Sequence, residues 1–354
     1  MIHRSLKLAA LSAFAAFTLG SCATPFGRSP AGVYANPVLD TDFPDRAVIR
    51  APDGFYYAYA TQTERDGKWV NIQLARSADL VTWHHLGDAL PAKPEWASKT
   101  QDFWAPDVSR HGDTYYLYYS AKPDAALKDD KRGLCLGVAT AGGPLGPFVD
   151  MGKPLQCGDG FVNIDPMSLD DPATGKRLLY WGSGFQPIKV QELAPDRMSF
   201  APGSKPIDLI PVMKNDPLKY RELVEGAWVI RRGGWYYMFY SGNNCCGNNA
   251  HYAVLVARSR SATGPFEPRA PNPVILEQRG TWVAPGHNAI ITDARGTGWM
   301  VYHAVDSRKP RTKASDEINT RRIMLIDRLV WTDGWPRIAD NGPSSGPLPA
   351  PAAR

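Results

Sequence analysis

The chain has 354 residues, 44% of them hydrophobic, with 11 Trp, 15 Tyr and 12 Phe and a formal net charge of +5. That length suits one large all-β domain as well as two smaller ones, because barrels and propellers exceed the usual domain size. The hydrophobic content excludes disorder for most of the chain, and the scattered, modest charge excludes a nucleic-acid partner.

The first predicted element is an export signal. His3, Arg4 and Lys7 give a positive start, residues 8–19 are mostly apolar, and Leu19-Gly20-Ser21-Cys22 follows. The apolar stretch is short for a membrane span. Leu-Gly-Ser-Cys resembles a bacterial lipobox, which implies cleavage before Cys22 and lipid attachment to it. Residues 1–22 are therefore expected to be a lipoprotein signal. The mature protein is expected to be exported and held at a membrane only by that lipid, on the outer membrane or the periplasmic side. An ordinary signal peptide in which Cys22 has no role, leaving a secreted protein, is the alternative. Residues 23–32, with several Pro, Gly and Ala, read as a flexible tether.

Residues 33–342 carry an internal repeat. A single acid or His marks each unit, at Asp45, Asp107, Asp165, Glu225 and His287, with a spacing of about 60 residues. Each marker is followed by a short apolar strand, a polar turn and an aromatic-rich strand such as FYYAYA, TYYLYYSA or WYYMFYSG. The Asp-Gly, Gly-Asp, Gly-Lys, Gly-Gly and Gly-Thr-Gly turns supply residues for positive φ. Third and fourth apolar-alternating segments complete each unit, and helical periodicity is almost absent. This pattern predicts an all-β, five-bladed β-propeller with four antiparallel strands per blade. The Pro- and Ala-rich residues 343–354 are expected to form a tail outside it.

The first strand of a propeller blade lines the central channel, so the five markers are expected to converge in one funnel. Crowded carboxyl groups repel one another, which raises some pKa values and keeps a carboxyl protonated near neutral pH. Glycoside hydrolysis needs that asymmetry, with one protonated carboxyl for the leaving oxygen and one ionised carboxylate. The competing reading is that each acid caps a blade turn; for Asp165 the two readings stand level. Of the cysteines after the tether, Cys135 and Cys157 lie in one repeat and are expected to be disulfide-bonded in an exported protein. Cys245 and Cys246 are adjacent and form either a vicinal disulfide or two thiols.

The segments FPDRAVI around Asp45, FWAPDV ending just after Asp107, IDP at Asp165, VEGAW at Glu225 and PGHNAI at His287 resemble those of glycoside hydrolase family 43. The match runs from Asn36-Pro37-Val38-Leu39 to VWTDGWPRI. The resemblance implies a five-bladed propeller and inverting hydrolysis, with Asp45 as general base and Glu225 as general acid. It implies Asp107 as a third carboxylate that orients the acid and raises its pKa. Arg46 departs from the family, which usually has Pro after the base. Phe43 and Trp104 resemble sugar-contacting residues, with inter-blade packing as the alternative. Arg322 resembles an arginine that orients the base, with Arg321 as the alternative register. Asn163, Ser183 and Asn288 are candidate partners of sugar hydroxyls, against ordinary turn roles.

No cofactor is required for such chemistry, but His287 resembles a residue that helps hold Ca²⁺ or another ion on the propeller axis through waters. The alternative is a His that hydrogen-bonds the acids. The blade 4 segment YSGNNCCGNNAHYAVLVARS is similar to arabinanase-like members, implying α-L-arabinofuranosyl linkages of arabinan or arabinoxylan as substrate. The expected partner is thus a plant cell-wall oligo- or polysaccharide, acted on by a monomer. A β-xylosidase and a non-catalytic carbohydrate-binding propeller are the alternatives, and the presence of all three carboxylates argues against the latter.

Overall fold

The computed structural model describes Met1, residues 32–311 and residues 320–353. The expected signal peptide, its Cys22 and nearly all of the tether lie outside the described residues. The five aromatic segments form the second strands of five separate antiparallel sheets, the blades of a propeller. Blade 1 is Ala47–Arg50, Tyr56–Ala60, Gln73–Ser77 and Trp83–Asp88. Blade 2 begins with Trp104–His111, Thr114–Ala121 and Arg132–Ala141. Blade 3 is Met167–Asp170, Arg177–Trp181, Ile188–Glu192 and Ile207–Ile210. Blade 4 begins with Val224–Arg232, Trp235–Asn244 and His251–Ser259, and blade 5 is Trp282–Thr292, Gly298–Asp306, Arg322–Thr332 and Trp335–Ile338. The outermost strand is split in blade 2 (Val149–Asp150 and Gln156–Asp159) and in blade 4 (Glu267–Pro268 and Val274–Leu276). Pro154 falls in the first break and Pro271 and Pro273 in the second, where proline cannot donate a ladder hydrogen bond.

Each interface between neighbouring blades has its own hydrophobic core. Side chains alternate across a strand, so adjacent residues serve different interfaces. Tyr119 packs between blades 1 and 2 and Tyr118 between blades 2 and 3. Tyr236 likewise faces blade 3 and Tyr237 blade 5. Both faces of each second strand are therefore buried, and its sequence is a nearly continuous apolar run.

The termini clasp the ring. Val33–Tyr34 pairs with Leu348–Pro349, Asn36 Nδ2 donates to the Ile326 carbonyl at 2.9 Å, and Trp282 Nε1 donates to the Ser344 carbonyl at 3.0 Å. The Pro- and Ala-rich tail is seated on the ring through these contacts. Once paired, that segment satisfies backbone groups of the first strand, and Ala352 N–H caps Asp293 at 3.0 Å.

Cys135 and Cys157 face each other in the blade 2 ladder and are joined by a disulfide, with Cα atoms 4.1 Å apart. It ties the split outer strand to the third strand at Cys135, which is fully buried. Replacing both cysteines by Ala is expected to lower unfolding free energy by about 3 kcal/mol, from the chain entropy of the loop that opens. Urea denaturation of the variant beside the parent would measure this, and equal midpoints would remove the disulfide from the account of stability.

Candidate active site

In every blade the first strand starts, and the second strand ends, on one face of the ring. At or just before each first strand stands a residue with left-handed backbone, two positions before the ladder to the second strand begins (blades 1 and 3) or resumes after a bulge (blades 2, 4 and 5). These residues are Asp45 (φ 51°), Ala105 (45°), Asp165 (58°), Gly226 (61°) and His287 (45°). They precede the pairs Ala47↔Tyr59, Asp107↔Tyr118, Met167↔Tyr180, Trp228↔Phe239 and Ala289↔Val301. Non-glycine residues hold this conformation only where the surroundings compel it.

The structural repeat thus runs through positions 45, 105, 165, 226 and 287, and two sequence markers lie off it. Blade 2 has Ala105 at the axial place, and Asp107 falls two residues later, within the ladder. Its Oδ2 accepts from the Ser168 N–H at 2.8 Å and the Ser168 hydroxyl at 2.6 Å, tying blade 2 to blade 3. Burial pushes Asp107 up to about 6, but it does not line the cavity at the axis. The third carboxyl there is Asp165, which corrects the assignment of Asp107. In blade 4 the axial place is Gly226, and Glu225 reaches the cavity from one residue upstream. A Cβ on Gly226 would lie 3.2 Å from His287 Nδ1, so the missing side chain lets the His ring sit there.

The axial cavity has a volume of about 350 Å³ and is lined by Asp45, Asp165, Glu225, His287, Arg322, Trp104, Phe161 and Phe185, among others. A larger cavity of about 610 Å³ lies by the terminal clasp, but its Asp79 and Asp293 are occupied in capping their own turns.

The carboxyl groups in the axial cavity have different environments. Asp45 Oδ1 accepts from Arg322 Nη1 at 2.7 Å and Oδ2 from the Thr61 hydroxyl at 2.8 Å. Burial alone would raise its pKa, but the Arg322 charge, followed by His287, the Thr61 hydroxyl and Arg46, holds it below the usual value. Glu225 Oε1 accepts from the Tyr252 hydroxyl at 2.7 Å and Oε2 from the Ser183 hydroxyl. Burial nevertheless raises Glu225, and the Asp45 charge adds to the rise. Asp165 is pushed well up, first by burial and then by the charges of Glu225 and Asp45. The site therefore holds an ionised Asp45 beside a Glu225–Asp165 pair that retains protons to higher pH. Gly286 supports it indirectly, since a Cβ there would fall 2.0 Å from the ring of Tyr252.

Trp104 and Arg322 stand in the cavity as expected, whereas Arg321 turns to the Asp40 carbonyl at 2.7 Å. Other expected sugar contacts are corrected. Phe43 is fully buried in the core between blades 5 and 1, with its ring 6.5 Å from that of His85. Asn163 is buried and accepts from Trp181 Nε1 at 3.2 Å. Ser183 is fully buried and holds Glu225, not a sugar hydroxyl. Asn288 is buried outside the cavity wall. Thr61 and Tyr252 carry no comparable signal in the sequence, because each bonds a carboxylate that belongs to a different strand.

His287 Nδ1 lies 3.6 Å from Asp45 Oδ1 and 3.7 Å from Asp165 Oδ2, and burial lowers its pKa to about 4, so the ring is neutral at pH 7. Among the described residues no three His, Cys, Asp or Glu side chains are grouped to hold a metal. A calcium ion takes about six to eight oxygen ligands, and this donor set does not fit one bound directly.

The family model for glycosyl hydrolases family 43 matches residues 34–336. The chain belongs to glycosyl hydrolase family 43. As a member of that family it is a glycosidase that hydrolyses O-glycosyl bonds. It is 28% identical over 327 residues to a probable arabinan endo-1,5-α-L-arabinosidase A of Aspergillus flavus, covering 86% of this chain and 94% of that one. A β-D-galactofuranosidase, xynD, of Aspergillus niger is also 28% identical, over 88% of this chain and 85% of its own. Among solved structures, a thermostable family-43 glycoside hydrolase superposes with a TM-score of 0.73 at 28% identity, over 91% of this chain and all of that one. The family 43 propeller and the carboxyl cavity at its axis thus coincide in one chain.

Proposed function

We propose that this family 43 glycosidase cleaves α-L-arabinofuranosyl linkages in plant arabinan or arabinoxylan, with inversion at the anomeric carbon. The observation that carries the reading is the pairing, in one cavity, of a carboxyl group whose pKa is lowered by Arg322 with one whose pKa is raised by burial. The similarity to an arabinan-cleaving relative supports the choice of sugar.

Asp45 accepts a proton from water as the water oxygen attacks the anomeric carbon. As the glycosidic C–O bond breaks, Glu225 delivers its proton to the leaving oxygen. Arg322 and Thr61 hold the base, Ser183 and Tyr252 hold the acid, and Asp165 is coupled to the acid by charge.

A screen on aryl arabinofuranoside, aryl xyloside, aryl galactofuranoside and linear arabinan, read by released reducing sugar or aryl alcohol, tests the substrate class. Arabinofuranosides are expected to give the highest kcat/KM. The galactofuranosidase relative makes a second furanoside the nearest competitor, and a β-xyloside preference would overturn the reading.

Asp165→Asn is expected to move the alkaline limb of the rate profile to lower pH. Activity is lost as pH rises through the pKa of the acid, and the variant removes the charge coupling that opposes ionisation of Glu225 and Asp165 together. The loss at pH 8 should be about tenfold or more. Asp107→Asn should leave that limb in place and lower stability by about 1 to 3 kcal/mol through its Ser168 bonds. A limb that moves in the Asp107 variant and not in the Asp165 variant would reverse the assignment.

We further propose that Cys22 carries a lipid that holds the enzyme at a membrane, on the strength of the Leu19-Gly20-Ser21-Cys22 boundary. Cys22→Ala should release it to the soluble fraction, and recovery of the variant in the parent's membrane fraction would refute the anchor.

A further inference from the structure

Beside the axial cavity lies a second cavity, of about 510 Å³. The two share Thr61, Trp104, Cys246 and Arg322 in their walls, so they form adjoining lobes of one depression, the second on the side of the base Asp45. Its wall includes Trp69, carried by a small hairpin of Thr63–Arg65 paired with Lys68–Val70. That hairpin is set within the connection between the second and third strands of blade 1, on the face where the carboxyl groups lie; blade 3 makes the same connection through residues 182–187 alone.

Trp69 is 55% exposed, whereas Trp83, Trp181, Trp282 and Trp299 are buried. An indole face kept in water beside hydrogen-bonding groups suits a sugar ring, whose C–H face stacks on the aromatic while its hydroxyls reach the polar rim. Asp42, Gln62 and Asp102 stand in that rim. Among the described residues of that wall, Asp42 and Asp102 supply carboxyl groups and the Arg322 guanidinium is already engaged by Asp45. That balance favours a neutral saccharide over a uronic-acid polymer.

We propose that this lobe is a saccharide subsite, with Trp69 as its platform. It receives a further neutral sugar unit of the chain whose scissile bond lies between Asp45 and Glu225. The inference rests on the glycoside-hydrolysis reading of the axial cavity and adds a preference for longer chains.

The test compares wild type, Trp69→Ala and Trp69→Phe on aryl arabinofuranoside and on α-1,5-arabino-oligosaccharides from the disaccharide to the hexasaccharide. A β-1,4-xylo-oligosaccharide ladder is run in parallel. For wild type, kcat/KM should rise with chain length. Trp69→Ala should lose about fivefold to tenfold on the longest substrate, mainly through KM, and less on the aryl glycoside, with Trp69→Phe recovering part. The same chain-length dependence in wild type and Trp69→Ala would overturn the subsite. So would cleavage of aryl arabinofuranoside with no preference for longer chains, leaving the substrate class intact. A Trp69→Ala penalty confined to the xylo-ladder would keep the subsite and overturn the arabinan reading.

Discussion

Asp45→Asn is expected to lower kcat by about 10²- to 10⁴-fold on every glycoside, activated or not, because the amide cannot take the proton of the attacking water. The loss should not depend on the leaving group, since water activation is separate from protonation of the departing oxygen. Substrate affinity should change little. Arg322, which now donates to Oδ1, can still meet the amide oxygen, and the Thr61 hydroxyl, which donates to Oδ2, must turn to accept from the amide N–H, but Arg322 loses its buried counter-charge. A stability cost of about 1 to 3 kcal/mol should accompany the loss of activity, measurable as a lower thermal midpoint. A folded Asp45→Asn enzyme that retained more than a few per cent of the parental rate on any substrate would remove Asp45 from the role of base.

Glu225→Gln should separate substrates by leaving group. On natural linkages, where the departing alkoxide needs a proton, the rate should fall about 10²- to 10⁴-fold. On dinitrophenyl glycosides, whose leaving group departs as a stable anion, the loss should be far smaller. The sign of the pH effect follows from the same assignment. Burial raises Glu225, so the parent keeps its acid protonated to higher pH than a free carboxyl would and loses activity as pH rises through that raised pKa. In Glu225→Gln this alkaline limb should vanish on activated substrates, while the acidic limb set by Asp45, whose pKa is lowered, persists. Equal losses on natural and activated substrates in a normally folded variant would show that Glu225 is not the proton donor.

Much of this enzyme is legible in its amino-acid sequence. The five aromatic segments, the hairpin turns between them and their spacing are local features, and each segment forms the second strand of a blade. Asp45 and Glu225 are legible for the same reason, because each sits where a first strand begins. Trp104 and Arg322 stand in segments distinctive enough to be placed from sequence, and both line the cavity.

What the amino-acid order determined alone is therefore the repeat, the fold class and two of the three axial carboxyl groups. The third depended on the tertiary structure. Asp107 and Asp165 look alike as spaced acids, but a one- or two-residue difference in where the chain bends decides whether a side chain points to the axis or enters the ladder. That bend falls on Ala105 in blade 2 and on Asp165 itself in blade 3. Phe43 departs from its expected role for a related reason, since an aromatic next to a catalytic segment serves a sugar or an interface according to which way the strand entry turns, and here it turns into the core. The supports of the carboxylates lie further out of reach. Thr61, Ser183 and Tyr252 meet Asp45 and Glu225 only because the blades close into a ring, and it is that closure, burying the carboxyl groups together around one axis, that pushes the acid's pKa upward while Arg322 holds the base's down.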